Sequence, residues 1–153
     1  MRVGLIGCGK LKLDHAAPAQ DLYVGPFFKL CKQWITKPGR VDEWGILSAK
    51  HGLLLPDQVT EPYDLSLDKL SFQQRVGWSN TVRYQLIRRW GQPNGVIYMI
   101  LAGALYRAAL NNMPMVEDVI QCWTDWRKAK GMRRPQMGIG VIKQYLKRDE
   151  GYY

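Results

Sequence analysis

The sequence predicts a single α/β domain over residues 1–153, three-layered and Rossmann-like, with a mostly parallel sheet flanked by helices. Three observations predict it. Residues 2–7, 44–48 and 96–101 are short, nearly continuous apolar runs of the kind that parallel strands buried on both faces require. Each run is followed by a loop and then an amphipathic helical pattern, and three such units argue for right-handed crossovers. The chain has 153 residues, 46% hydrophobic and 23% charged, which is ordinary globular usage for one core.

Taken in order, Arg-Val-Gly-Leu-Ile-Gly at 2–7 reads as the first strand, ending in glycine. Residues 8–26 hold glycines, prolines and charges without a period, and are expected to form a long functional loop. Residues 27–35 place Phe27, Phe28, Leu30, Cys31, Trp34 and Ile35 at helical spacing behind Pro26, a good first-turn residue. Lys37-Pro38-Gly39 stops that helix, and 44–48 is the second strand, with Ser48 at its carboxyl end. A second punctuated loop covers 49–67. Residues 70–90 form a long amphipathic helix whose expected core face carries Phe72, Val76, Val82, Leu86, Ile87 and Trp90, stopped by Gly91 and Pro93. Residues 96–101 are the clearest strand and 103–110 the helix after it. Residues 117–130 look helical, 132–140 read as a basic loop and 141–148 as a terminal helix.

Lys and Arg outnumber Asp and Glu by 22 to 13, a formal charge of +9, which favours phosphate-bearing partners; a generic solubility charge is the alternative. Three cysteines without CxxC spacing suggest neither a disulfide framework nor a zinc ribbon, and the expected compartment is the cytoplasm. No stretch has the length of a membrane span or the form of a secretory signal. The two histidines, His15 and His51, have no neighbouring ligands, so no metal or other cofactor is expected.

Ligands of parallel α/β sheets bind at the carboxyl ends of the strands. By that rule residues 8–12, 48–52 and 102–106 converge on one cleft. Gly7-Cys8-Gly9-Lys10-Leu11-Lys12 is a glycine-rich turn whose N–H groups and lysines suit a phosphate, although it is neither a Walker loop nor a dinucleotide fingerprint. Cys8 is either a nucleophile activated by Lys10 and Lys12 or a small core residue. Ser48 and Lys50 suit hydrogen bonding to a base or phosphate. Asp64, on a turn stiffened by Pro62, suits orienting water or stabilising a cationic sugar, the alternative being a helix cap. Trp123 and Trp126 among Arg127, Lys128, Lys130, Arg133 and Arg134 suit base stacking and backbone contacts, or else a tryptophan core face beside a solvated basic one.

Several motifs resemble the YaaA-like superfamily, and more closely a set of small bacterial and phage proteins within it. They are Asp21-Leu22-Tyr23-Val24-Gly25-Pro26-Phe27-Phe28, Ile46-Leu47-Ser48-Ala49-Lys50-His51-Gly52-Leu53-Leu54, Pro56 and Glu61-Pro62-Tyr63-Asp64-Leu65. Ile100-Leu101-Ala102-Gly103 with Tyr106, and Gly138-Ile139-Gly140, fit the same pattern. The resemblance implies DNA binding, a tie to peroxide stress, and glycosidic-bond or base-modification chemistry on nucleic acid.

The function expected from the whole is a DNA glycosylase hydrolysing the N-glycosidic bond of a modified base, which needs a carboxylate, a positioned water and usually a flipped nucleotide. Asp64, Ser48 and Lys50 form the catalytic set. Cys8, Lys10, Lys12, Tyr23, Gly25 and His51 are expected to touch the nucleic acid, together with Gly52, Tyr63, Gly103, Tyr106, Arg133 and Arg134. The alternatives are a non-catalytic DNA-binding stress protein and a nucleotide or nucleoside transferase.

Overall fold

The computed structural model describes residues 1–91, 94–113 and 116–118. Its elements are β1 (Arg2–Gly7), β2 (Ala17–Pro18), α1 (Ala19–Leu22), α2 (Pro26–Ile35), β3 (Glu43–Ser48), β4 (Gly52–Leu54) and β5 (Val59–Thr60). They continue with α3 (Phe72–Trp90), β6 (Ile97–Leu101), α4 (Ala104–Leu110) and β7 (Val116–Asp118). The class is α/β, with a five-stranded, mostly parallel sheet ordered β4-β3-β1-β6-β7. In the centre, β1 pairs in parallel with β3, Ile6 opposite Ile46, and with β6, Ile6 opposite Leu101. Among the described strands of this sheet, β4 alone runs antiparallel, folding back on β3 with Ser48 opposite Gly52.

Alternation along the strands sends side chains to two sides of the sheet. Ile6, Ile46, Met99 and Leu101 pack with Phe28, Cys31, Trp34 and Ile35 of α2. Val3, Leu5, Leu47, Tyr98 and Ile100 pack with Trp78, Val82, Leu86 and Trp90 of α3 and Leu110 of α4. The approach of α2 depends on Gly4, because a Cβ there would collide with the Ile35 side chain. Helix α3 is capped reciprocally: Gln74 N–H donates to Ser71 Oγ at 3.2 Å, and Ser71 N–H to Gln74 Oε1 at 2.8 Å. Its far end is pinned to β3, where Trp90 Nε1 and Arg89 both donate to Glu43 Oε2, at 2.7 and 2.8 Å.

Four expectations are corrected. The long loop over 8–26 is folded: Lys12 bridges Tyr23, and β2 pairs with β5, which joins this loop to residues 55–66. The loop over 49–67 contains β4 and β5, because Gly52 turns the chain back against β3 before it reaches α3. On α3 the core face is Trp78, Ser79, Val82, Leu86 and Trp90, whereas Phe72 is 73% and Val76 45% exposed. In the first turns the apolar stripe of the sequence faces away from the core. Finally, Val116–Asp118 form β7, parallel to β6, over the first two residues of the helix expected at 117–130. The remainder of 117–130, the loop at 132–140 and the helix at 141–148 lie outside the described residues, with Trp123, Trp126, Arg133 and Arg134.

Candidate active-site cleft

The carboxyl ends of β1 and β6 open into a cleft of 350 Å³, lined by Cys8, Gly9, Lys10 and Lys12 on one side and by Gly103, Leu105 and Tyr106 on another. Asp64, Asp68 and Lys69 close the third side, on the connection between β5 and α3. Cys8 continues β1 because its N–H donates to Leu47 O of β3 at 2.9 Å. Tyr106 sits in the first turn of α4, and its hydroxyl lies 3.2 Å from Cys8 Sγ. Edge-on contact with Trp78, centroids 5.4 Å apart, holds the Tyr106 ring. Burial pushes the Tyr106 phenol up, so it keeps its proton at neutral pH and remains a donor.

Lys12 is half-buried, and its ammonium donates to Gly9 O at 3.2 Å and Lys10 O at 3.4 Å. The same group lies over the Tyr63 ring, 4.4 Å from its centroid. Burial pulls its pKa down, against the pull of Cys8 and Asp64 in the other direction. At the rim Asp64 accepts from Lys69 at 2.9 Å, and that bond, with the charge behind it, holds the carboxyl below the usual carboxylate range. Lys12 and Lys10 act on Asp64 in the same sense, so three ammonium groups share its surroundings.

Behind the cleft lies a chain of hydroxyls. Tyr63 OH is 2.7 Å from Tyr23 OH and 2.5 Å from Ser48 Oγ. Ser48 is fully buried, and its Oγ accepts from the N–H groups of Lys50 and His51 at 3.3 and 3.1 Å, closing the turn into β4. The Ser48 carbonyl accepts from Trp78 Nε1 at 2.8 Å. One tryptophan therefore braces both the strand end and Tyr106.

Of the residues expected at the site, the cleft brings together Cys8, Lys10, Lys12, Asp64, Gly103 and Tyr106. Ser48, Tyr23 and Tyr63 stand behind its wall. Lys50 and His51 are exposed on the neighbouring turn, His51 meeting the Tyr63 ring edge-on at 5.3 Å. Gly25 precedes α2 and Gly52 faces Gln85, neither of them at the cleft. Sequence reasoning missed Asp68, Lys69 and Trp78. Only Lys69 left a signal, a cation five residues after Asp64 and able to reach back to it. Among the described residues no three His, Cys, Asp or Glu side chains converge as metal ligands, and no helix is long and apolar enough to cross a membrane.

A family model described as a family of unknown function, DUF6884, matches residues 3–126, which span every element around the cleft. The chain belongs to this family. Another similar protein is the uncharacterized protein YfjM of Bacillus subtilis (strain 168), 32% identical to this DUF6884 chain over 121 residues, covering 72% of the chain and 75% of YfjM. No solved structure matches the chain.

Proposed function

We propose that this protein hydrolyses the N-glycosidic bond of a modified base in DNA, with the cleft between Cys8, Lys12, Asp64 and Tyr106 as its active site. The observation that carries the reading is the pairing of a carboxylate held ionised, Asp64, with a phenol held protonated, Tyr106, around one opening. Departure of the base leaves its bonding electrons on the base and a cation on the sugar. Asp64 stabilises that cation, Tyr106 donates a hydrogen bond to the departing base, which takes up a proton from solvent, and water adds to the sugar carbon and loses a proton to solvent. Lys10 and Lys12 take the flanking phosphate. Ser48, Tyr23 and Tyr63 hold the wall behind Lys12, and Lys50, on the neighbouring turn, contacts the flanking phosphate.

We further propose that the domain is a three-layer, Rossmann-like fold, that the protein is cytoplasmic, and that it is kin to the YaaA-like superfamily. The glycosylase reading is supported by the position of the cleft at the strands' carboxyl ends, where parallel α/β folds place ligands. Incubating the protein with DNAs carrying normal and modified bases, and reading free bases by mass spectrometry, tests it. Release of one base, abolished by Asp64→Asn, is expected. Release that survives Asp64→Asn removes the role given to Asp64, and no release from any substrate removes the glycosylase. A free nucleotide is a second reading, favoured by a cleft of 350 Å³, at the small end of ligand pockets. A melting temperature raised by nucleotides and unmoved by DNA would select it.

A further inference from the structure

The two exposed apolar side chains at the start of α3 belong to a second groove. Phe72, Arg75, Val76, Asn80 and Arg83 recur at spacings of three and four, so they share one face of the helix. Across from them stand Leu105, Ala108, Ala109 and Asn112 of α4 and the turn after it, and the space between is 440 Å³. Ser79 Oγ donates to Ala109 O and ties the two walls together at the groove floor. Two arginines line the groove and no carboxylate does, among the described residues. The Arg83 Nε is buried without a hydrogen-bond partner among those residues. Phe72, 73% exposed, offers an open ring. Leu105 lines this groove and the cleft alike, so the two adjoin across one side chain.

We infer that this groove binds single-stranded DNA leaving the cleft, a conclusion that rests on the nucleic-acid reading above. Arg75 and Arg83 take consecutive phosphates, Phe72 stacks on an unpaired base, and Asn80 and Asn112 offer amides to base edges. A ring exposed beside two guanidinium groups is the combination that single strands need, because every base has a face to stack and every link a charge to neutralise. A duplex hides those faces. The small residues Ala108 and Ala109 opposite leave room for the strand.

The test is equilibrium binding of a fluorescent oligothymidylate, its duplex form and an oligouridylate to the full chain, across a salt series. Phe72→Ala is expected to weaken the single strand about fivefold or more and to leave the duplex unchanged. Arg75→Gln and Arg83→Gln are each expected to flatten the logarithmic salt dependence by ~0.7, the amount expected for one lost phosphate contact. Lys29→Gln removes the same charge from α2, packed on the other side of the sheet, and is expected to change nothing. Groove variants that bind like the parent, or a Lys29→Gln loss equal to theirs, overturn the inference. Tighter binding of the oligouridylate overturns its assignment to DNA. Base release by the same variants is read in parallel. Groove-dependent binding with no base released from any DNA therefore sinks the glycosylase alone, and base release indifferent to the groove variants sinks the groove alone.

Discussion

The hydroxyl of Tyr63 lies 2.5 Å from that of Ser48, and this contact joins the turn after β3 to the connection between β5 and α3. Because Ser48 Oγ already accepts two backbone N–H groups, its proton is free to donate to Tyr63, which in turn meets Tyr23 at 2.7 Å. Replacing Tyr63 by Phe removes the contact that both buried hydroxyls, Ser48 and Tyr23, make with it. The expected cost is about 1–3 kcal/mol, read by denaturant unfolding, with an unchanged sheet by circular dichroism. An unaltered midpoint would mean that the hydroxyl chain contributes nothing to stability.

The same chain sets an alkaline limit. Burial pushes the Tyr23 phenol from 10.0 up to about 12, and raises Tyr63 and Tyr106 as well. A folded-state pKa raised above the unfolded one means that its stability contribution is complete below pH 10 and lost as pH climbs through the folded value. Stability should therefore fall between about pH 10 and 12, together with the rise of phenolate absorbance. Phenolate forming in full near pH 10, with no loss of stability beyond it, would contradict the burial of these groups.

Two described cysteines differ in access. Cys31 is fully buried and its thiol is pushed up to about 12, whereas Cys8 is half-exposed in the cleft. Iodoacetamide should label Cys8 in the native protein and Cys31 only after unfolding, as peptide mass mapping would show. A ligand that occupies the cleft should slow the first reaction and not the second. Native labelling of Cys31 would be inconsistent with the packing of α2.

Gly52 sits at φ +73°, and a Cβ there would collide with Gln85 Oε1. That amide oxygen accepts from Leu53 N–H at 2.8 Å, and Gln85 Nε2 donates to His51 O at 3.1 Å, so α3 and β4 are joined through it. Gly52→Ala should cost about 1–3 kcal/mol from the left-handed backbone and the displaced amide together. Thermal melting decides, and a melting temperature equal to the parent's would refute the assignment.

Lys69→Met removes the hydrogen bond and the charge that hold Asp64 ionised. Asp64 is fully exposed, so the melting temperature should not move. The acid limb of the proposed activity should shift upward, since Asp64 then takes up its proton at a higher pH. An acid limb unchanged by Lys69→Met would show that Asp64 is not the group titrating there.

Much of the frame was legible because buried parallel strands need contiguous apolar residues. Val3-Gly4-Leu5-Ile6, Gly45-Ile46-Leu47 and Tyr98-Met99-Ile100-Leu101 have the contiguous apolar residues of such strands, and the helix after the first was marked by Pro26. Two-residue strands carry no such pattern, so the pairing of β2 with β5 was invisible. Helical period alone also failed on α3, where Phe72 and Val76 continue an apolar stripe past the part that reaches the core.

The amino-acid pattern by itself determined the class of fold, its three central strands, and the end of the sheet at which Cys8, Lys10, Lys12 and Tyr106 would meet. Only tertiary structure decided that Ser48 faces inward, that Tyr63 links it to Tyr23, and that Lys69 bonds Asp64 at the rim. The physical reason is range. Strand and helix periods are set by neighbouring residues, whereas a hydroxyl's or a carboxylate's partner is chosen by how two loops pack, and nothing local in the sequence encodes that contact.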